Sequence, residues 1–273
     1  MFEFDDARRR ALEVDLARVR RGLPPDLLPF DAVREKLRLR HSVDRGLVDV
    51  PLDRIVGSLG RDRDFNRLFF PRDESLRGRW EGVRKLALGE VGFASVELYK
   101  VGDAYFVIDG HHRISVARHL HAPSIEARVR EFVTNIPVEP NDSLEGLALR
   151  RGRADFLEAT GVDAEATELD AYERLLDHIS VHGWYEKKAW PDAIASWRAH
   201  VFEPMLDVIH RSGVMEKFPG RTETDLYLYA MDHLYFLRER EGDDAGAAAA
   251  VEEMKVRPTW RERWRKWRMS SRA

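Results

Sequence analysis

Five consecutive residues, Asp109, Gly110, His111, His112 and Arg113, bring a carboxylate, a glycine, two imidazoles and a guanidinium together in "AYFVIDGHHRISVARHL". The apolar run before them reads as a strand, and the segment from about 111 to 120 reads as a helix. Gly110 lets the backbone turn tightly and approach a ligand. The first amides of the following helix lack intrahelical partners and sit at the positive end of its dipole, which suits an anion. Cations are disfavoured in that first turn, so His111, His112 and Arg113 make sense there against a negative ligand. Arg113 offers a planar fork for phosphate oxygens, and the histidines carry a charge adjustable near neutral pH.

Gly110, His111, His112 and Arg113 are therefore candidate phosphate ligands, and Asp109, His111 and His112 candidate catalytic groups. Asp109 could orient a histidine, bind Mg²⁺ through oxygen, or act as a base. The competing reading makes Asp109 a plain helix N-cap with solvent-exposed histidines. A metal shared by the two histidines is disfavoured, because adjacent helical side chains point about 100° apart. Upstream, "GRDRDF" places Arg61 and Arg63 where they could clamp a nucleotide from the other side, with Asp62 and Asp64 beside them. A solvated charged loop is the alternative.

The elements around these residues predict an α+β protein: a small mixed α/β domain, an N-terminal helical segment and an all-helical C-terminal domain. Residues 3–21 read as an amphipathic helix with Leu12, Val14, Leu16 and Val19 among charges, ended by "GLPPDLLP". A second helix is expected over 30–40. "LVDVPLDRIVGSLGR" reads as strand, turn and short helix, and Trp80, Val83, Leu86 and Ala87 have helical spacing before Gly89. "ASVELYKV", a Gly-Asp turn and "AYFVID" predict a hairpin, and "SIEARVREF" another strand. After the Pro/Asn-rich "TNIPVEPNDS", helices are expected at 142–159, 167–182, 190–212, 222–241 and 246–267. The domain boundaries follow as 1–45, 46–138 and 141–273.

"VPLDRI", "VELYKVGDAYFVIDGHHRISVARHL" and "SIEARV", in that order, resemble the ParB/sulfiredoxin superfamily, whose ParB members bear the label ParB-like nuclease. The resemblance spans about residues 48 to 132, about a third of the chain. It implies a strand-to-helix turn that binds nucleotide phosphate: ATP, ADP or CTP. Sulfiredoxins need a cysteine where His111 stands, and this chain has none, so that activity is excluded. Partitioning ParB proteins carry Gly-Glu-Arg-Arg at the turn and a helix-turn-helix domain after it; no recognition helix is evident here. The free-serine kinases of the superfamily are closer, for they use Asp-Gly-His-His-Arg. That resemblance implies that Asp109 serves Mg²⁺ or the transferred phosphoryl group while His111, His112 and Arg113 grip phosphate. Their upstream catalytic glutamate is not recognisable here, and Asp62 and Asp64 are the local carboxylates.

Two functional expectations follow. One is a nucleotide- or phosphate-binding ParB-like protein, with Mg²⁺-dependent phosphotransfer to a small molecule or nucleotide hydrolysis as its chemistry. The other is a DNA-associated transcriptional or chromosome regulator switched by nucleotide. The chain's net charge of −3 gives no general attraction to nucleic acid, but residues 255–273 carry +7. In that tail Trp260, Trp264 and Trp267 form one helical stripe, suited to the protein's own surface, a second subunit in a homodimer, an anionic membrane surface or nucleic acid.

In the helical half, His178 and His182 share a helix face with Asp177 and Glu186 nearby; zinc and ordinary helix hydrogen bonds are the alternatives. Gly220 breaks the chain, Thr222 or Thr224 is the expected N-cap, and Leu226, Tyr229 and His233 should share one face. This half loosely resembles an uncharacterised helical domain of bacteria sometimes found beside ParB-like modules, which implies no activity. Without cysteine, thiol catalysis, thiolate metal sites and disulfides are excluded. No apolar run approaches bilayer length and no secretory leader is evident, so a cytoplasmic protein without a transmembrane segment is expected.

Overall fold

The computed structural model describes residues 3–89, 92–241 and 246–256. The chain divides into two compact units, Met1–Arg151 and Gly152–Ala273. The first contains, in order, α1 (Glu3–Arg20), β1 (Leu28–Pro29), α2 (Phe30–Leu37), β2 (Ser42–Pro51), β3 (Ile55–Ser58), α3 (Arg77–Ala87), β4 (Val96–Val101), β5 (Ala104–Asp109), α4 (His111–His119) and β6 (Ser124–Phe132). The helices continue with α5 (Leu144–Thr160), α6 (Ala171–Glu186), α7 (Trp190–Trp197), α8 (Glu203–Ser212), α9 (Glu223–Glu241) and α10 (Ala247–Val256). The fold is thus mixed α/β, with helices around and after one mixed sheet. No helix among the described residues is long and apolar enough to cross a membrane.

The six strands lie in the order β1-β3-β5-β4-β6-β2. β4 and β5 form the expected antiparallel hairpin, and β6 runs parallel to β4. Alternation decides which side chains go where. Val96 and Leu98 of β4, Val107 of β5, and Ile125, Ala127 and Val129 of β6 join one core with Ile114 and Ala117 of α4. On the opposite face Phe30 of α2 meets Tyr99, Phe106 and Phe132 at ring distances of 4.5, 5.5 and 5.4 Å. β3 and β5 are covered on both faces and are nearly continuously buried, whereas β4 and β6 still alternate.

A second core lies outside α4, where Phe4, Ala7 and Ala11 of α1 pack with Trp80 of α3, Phe70 and Val116. The N-terminal helix therefore shares a core with the sheet unit. Its face differs in part from the one the sequence suggests: Leu12, Leu16 and Val19 are exposed, whereas Val14 packs against this core beside Phe4, Ala7 and Ala11. Phe4 meets the fully buried Trp80 edge-on at a ring distance of 5.6 Å, and the two alanines complete the buried face of the helix.

The segment expected as a short helix after "PLDR" is instead a 3₁₀ turn, Leu52–Arg54, followed by the buried strand β3. Four residues are too few to display a period. Gly57 in β3 is opposite Phe106 of β5, and a β-carbon there would stand 2.2 Å from that ring. Only hydrogen fits at this crossing.

In the second unit, α7 and α8 are one continuous helical path joined by a wide π turn over Arg198–Phe202. Pro204 explains the turn, because it has no amide to donate and its ring crowds the preceding turn. Thr222 is the N-cap of α9: its hydroxyl accepts from the Asp225 amide at 3.2 Å, and the Asp225 carboxylate accepts from the Thr222 amide at 3.0 Å. Leu226, Tyr229 and His233 are buried along α9. Only the first part of the helix expected at 246–267 is described, and Trp260, Trp264, Trp267 and the basic tail beyond Val256 lie outside the described residues.

Candidate functional site

β5 delivers Asp109 to the sheet's end, and Gly110 turns the chain with φ of 101° directly into α4. The N-cap is therefore Gly110 rather than Asp109. No side chain caps this helix start, and an open cleft of about 310 Å³ lies against it. Leu59, Gly60 and Arg61 line it from the loop after β3, Arg79 and Val83 from α3, and Ile108 through Arg113 from the turn itself. Gly110, His111, His112, Arg113, Asp109 and Arg61, all singled out in the sequence, meet in this one cleft.

The histidines are buried, at 6 % and 5 % exposure, contrary to the solvent-exposed reading. Phe65 packs near both, its ring 6.3 Å from His111 and 5.5 Å from His112. His111 Nε2 is 2.8 Å from Ser58 Oγ, which also accepts from the Arg61 amide at 3.1 Å. His112 differs: its Nδ1 is sealed from solvent and has no hydrogen-bond partner. Burial comes first among the causes holding both rings at a pKa of about 4, and Arg61 and Arg79 push in the same direction. Both are neutral at pH 7.

That neutrality has a measurable cost in acid. The unfolded chain binds these protons near the ordinary histidine value and the folded chain only near pH 4. Between the two, the unfolded state holds more protons, so stability should be lost as pH falls from about 6.5 towards 4, by at most about 3 kcal/mol per histidine. Urea unfolding midpoints across this window should fall more steeply for the native chain than for His111→Gln/His112→Gln. Identical slopes would show that these rings do not carry the effect.

Arg113 lines the cleft, but its guanidinium is used differently from the phosphate grip expected of it. It donates to the Ser95 carbonyl, to the Ala94 carbonyl at 3.3 Å and to the Asp109 carboxylate at 2.5 Å. Arg113 thus straps the chain before β4 to the β5–α4 turn, and its charge is matched by Asp109. Arg61 is opposed by Asp64 at a loose 3.5 Å.

Arg79 was not evident from the sequence. Its neighbour Trp80 is fully buried and donates from Nε1 to Ser115 Oγ of α4 at 3.0 Å. This bond pins α3 beside α4, and the next residue back projects from an exposed position to line the cleft. The signal was a surplus of base in "RGRWEGVRK". Arg77 and Arg84 are matched by Asp5, Glu74 and Glu3, whereas Arg79 has no ion pair among the described residues. Ser58 was missed as well, for a serine ending a short strand carries no mark.

For a phosphate group the fit is good: free helix amides, two arginines with little or no compensation, and a neutral imidazole short of a partner. For Mg²⁺ the cleft lining offers one carboxylate, that of Asp109, which also pairs with Arg113. Among the described residues no group of three or more His, Cys, Asp or Glu is placed to hold a metal. A single carboxylate completed by ligand phosphates and water is an ordinary Mg²⁺ environment.

Elsewhere, His178 Nδ1 is 3.1 Å from Tyr227 Oη, and His182 Nε2 is 2.9 Å from Ser196 Oγ. Each has its own hydroxyl partner, which is a structural arrangement rather than a shared metal. A wider concavity of about 740 Å³ is bordered by Trp184, Tyr185 and Trp190, and contains none of the candidate residues. No family model matches the chain, and no curated protein matches it.

Proposed function

We propose that the first unit binds a nucleotide (ATP, ADP or CTP) or another phosphorylated small molecule, with its phosphate end in the cleft at the start of α4. The observation carrying this reading is that Arg61 and Arg79, from two different elements, line one cleft with uncapped helix amides and a buried histidine that has a nitrogen without a partner. The resemblance to the ParB/sulfiredoxin superfamily supports the same role for the turn. Phosphotransfer to a small molecule, or nucleotide hydrolysis, is the chemistry such a cleft suits, since phosphoryl transfer depends mainly on positioning and neutralising charge. Asp109 is the carboxylate available to accept a proton or contact Mg²⁺, which when bound would neutralise phosphate charge. His111 and His112, neutral at pH 7, are the groups able to move a proton.

A thermal-shift screen with ATP, ADP, CTP and inorganic phosphate, with and without Mg²⁺, tests the reading. A ligand at 100 times its dissociation constant adds about 2.7 kcal/mol of stability. Arg79→Ala should weaken the bound ligand by about ten- to a hundredfold, the worth of one charge-assisted contact. Equal shifts in the native protein and in Arg79→Ala would remove the proposed site. The second reading, a DNA-associated regulator, is favoured by the +7 charge of residues 255–273. The same screen run with duplex DNA separates the two, for that reading requires DNA binding that falls with added salt.

A further inference from the structure

Resting on the phosphate reading above, we infer that the cleft selects doubly charged phosphate ends over singly charged ones and takes up a proton on His112 when it binds one. The argument begins with the charges that line it. Asp109 and Arg113 satisfy each other, which leaves Arg61, only loosely opposed by Asp64, and Arg79, unpaired among the described residues. Together with the uncapped amides of α4 these make an excess of about two positive charges. A phosphomonoester or the terminal phosphate of a nucleotide matches that excess; a phosphodiester meets half of it.

His112 is the group whose state must change. His111 already has Ser58 as a partner, and its ring lies beside both Phe65 and Phe69, at 6.3 and 6.4 Å. His112 is 5 % exposed, lines the cleft, and has a buried nitrogen without a partner. The charged and titratable groups around it are His111, Asp109 and Arg113 from the turn, Arg61 from the loop after β3 and Arg79 from α3. Phe65 covers another side. In the free protein the two arginines oppose a third positive charge on this ring. A bound dianion cancels that opposition and supplies an acceptor to Nε2, the ring nitrogen that is not sealed, so the protonated imidazole becomes the favoured form. A bound state that holds one more proton than the free state binds more tightly as pH falls.

Isothermal titration of the full chain tests this with three probes: phenyl phosphate, its methyl diester, and sulfate, which stays doubly charged throughout the range used. The monoester should bind at least about tenfold more tightly than the diester, the worth of one charge-assisted contact. Sulfate affinity should rise at least about threefold between about pH 8 and pH 6. Its binding heat should also change between buffers of different ionisation enthalpy, which reports proton uptake by the protein alone. His112→Gln should abolish that buffer dependence. Equal monoester and diester affinity, buffer-independent heats in the native protein, or uptake that persists in His112→Gln would each overturn this inference and leave phosphate binding standing. No binding of phenyl phosphate or sulfate would overturn both.

Discussion

Gly110→Ala is expected to abolish the phosphate binding proposed for the α4 cleft and to lower the stability of the first unit by about 2–4 kcal/mol. Two independent causes act at this position. With φ at 101° and ψ at 20°, Gly110 occupies backbone space that an L side chain rarely adopts. A β-carbon there would also stand 2.4 Å from Val96 Cγ1 and 2.9 Å from Val96 Cβ. Val96 is fully buried in β4 and cannot step aside without moving the sheet core. Arg113 Nε would lie 3.2 Å away, so any relief that shifts the turn disturbs the strap to Asp109 and the chain before β4. The helix amides and both histidines are carried by this turn, so a movement of half an ångström misplaces the whole anion cradle. Urea unfolding and titration with phenyl phosphate read the two effects separately. An alanine variant that kept native stability and affinity would refute the geometry described for the turn.

Arg67→Leu should destabilise the first unit by about 3–5 kcal/mol although it touches no part of the cleft. Arg67 is 1 % exposed. It donates to the carbonyls of Asp26 at 3.0 Å, Pro140 at 2.9 Å and Asp142 at 2.6 Å, joining the segment before β1 to the one before α5. Burial lowers its pKa to about 10, so the guanidinium remains charged at neutral pH. Replacing a buried ion pair by apolar residues is often harmless because both charges leave together. Here the partners are backbone carbonyls, which no substitution at position 67 removes. Arg67→Lys should recover only part of the loss, since an ammonium cannot span three acceptors with a planar fork's geometry. Denaturant midpoints for the two variants give the test. A leucine variant as stable as the native chain would mean that water or a local shift satisfies those carbonyls.

Much of the sheet and the turn was legible in the sequence for a simple reason. "SIEARVREF" buries Ile125, Ala127 and Val129 in alternation, and the hairpin before it has a two-residue turn, so both signals are local. The turn residues are legible for the same reason, as contiguous positions that topology keeps together. What could not be read depends on contacts distant in the chain. Arg113 resembles a ligand until the carbonyls of Ala94 and Ser95 are brought to it. Arg79 resembles one more surface base until Trp80 finds Ser115. In α1 the longer apolar side chains suggest the packing face, but Leu12, Leu16 and Val19 stay exposed while Phe4, Ala7 and Ala11 join the core around Trp80.

The hydroxyl of Ser58 has one hydrogen to give. While the Arg61 amide donates to that oxygen, its hydrogen can be directed to Nε2 of His111, leaving the imidazole's own proton on Nδ1. The loop and the ring thus meet at one oxygen, which has two lone pairs and a single hydrogen to share between them. A ligand that draws Arg61 inward would free one lone pair of Ser58, so a displacement of the loop is felt at the histidine through that atom.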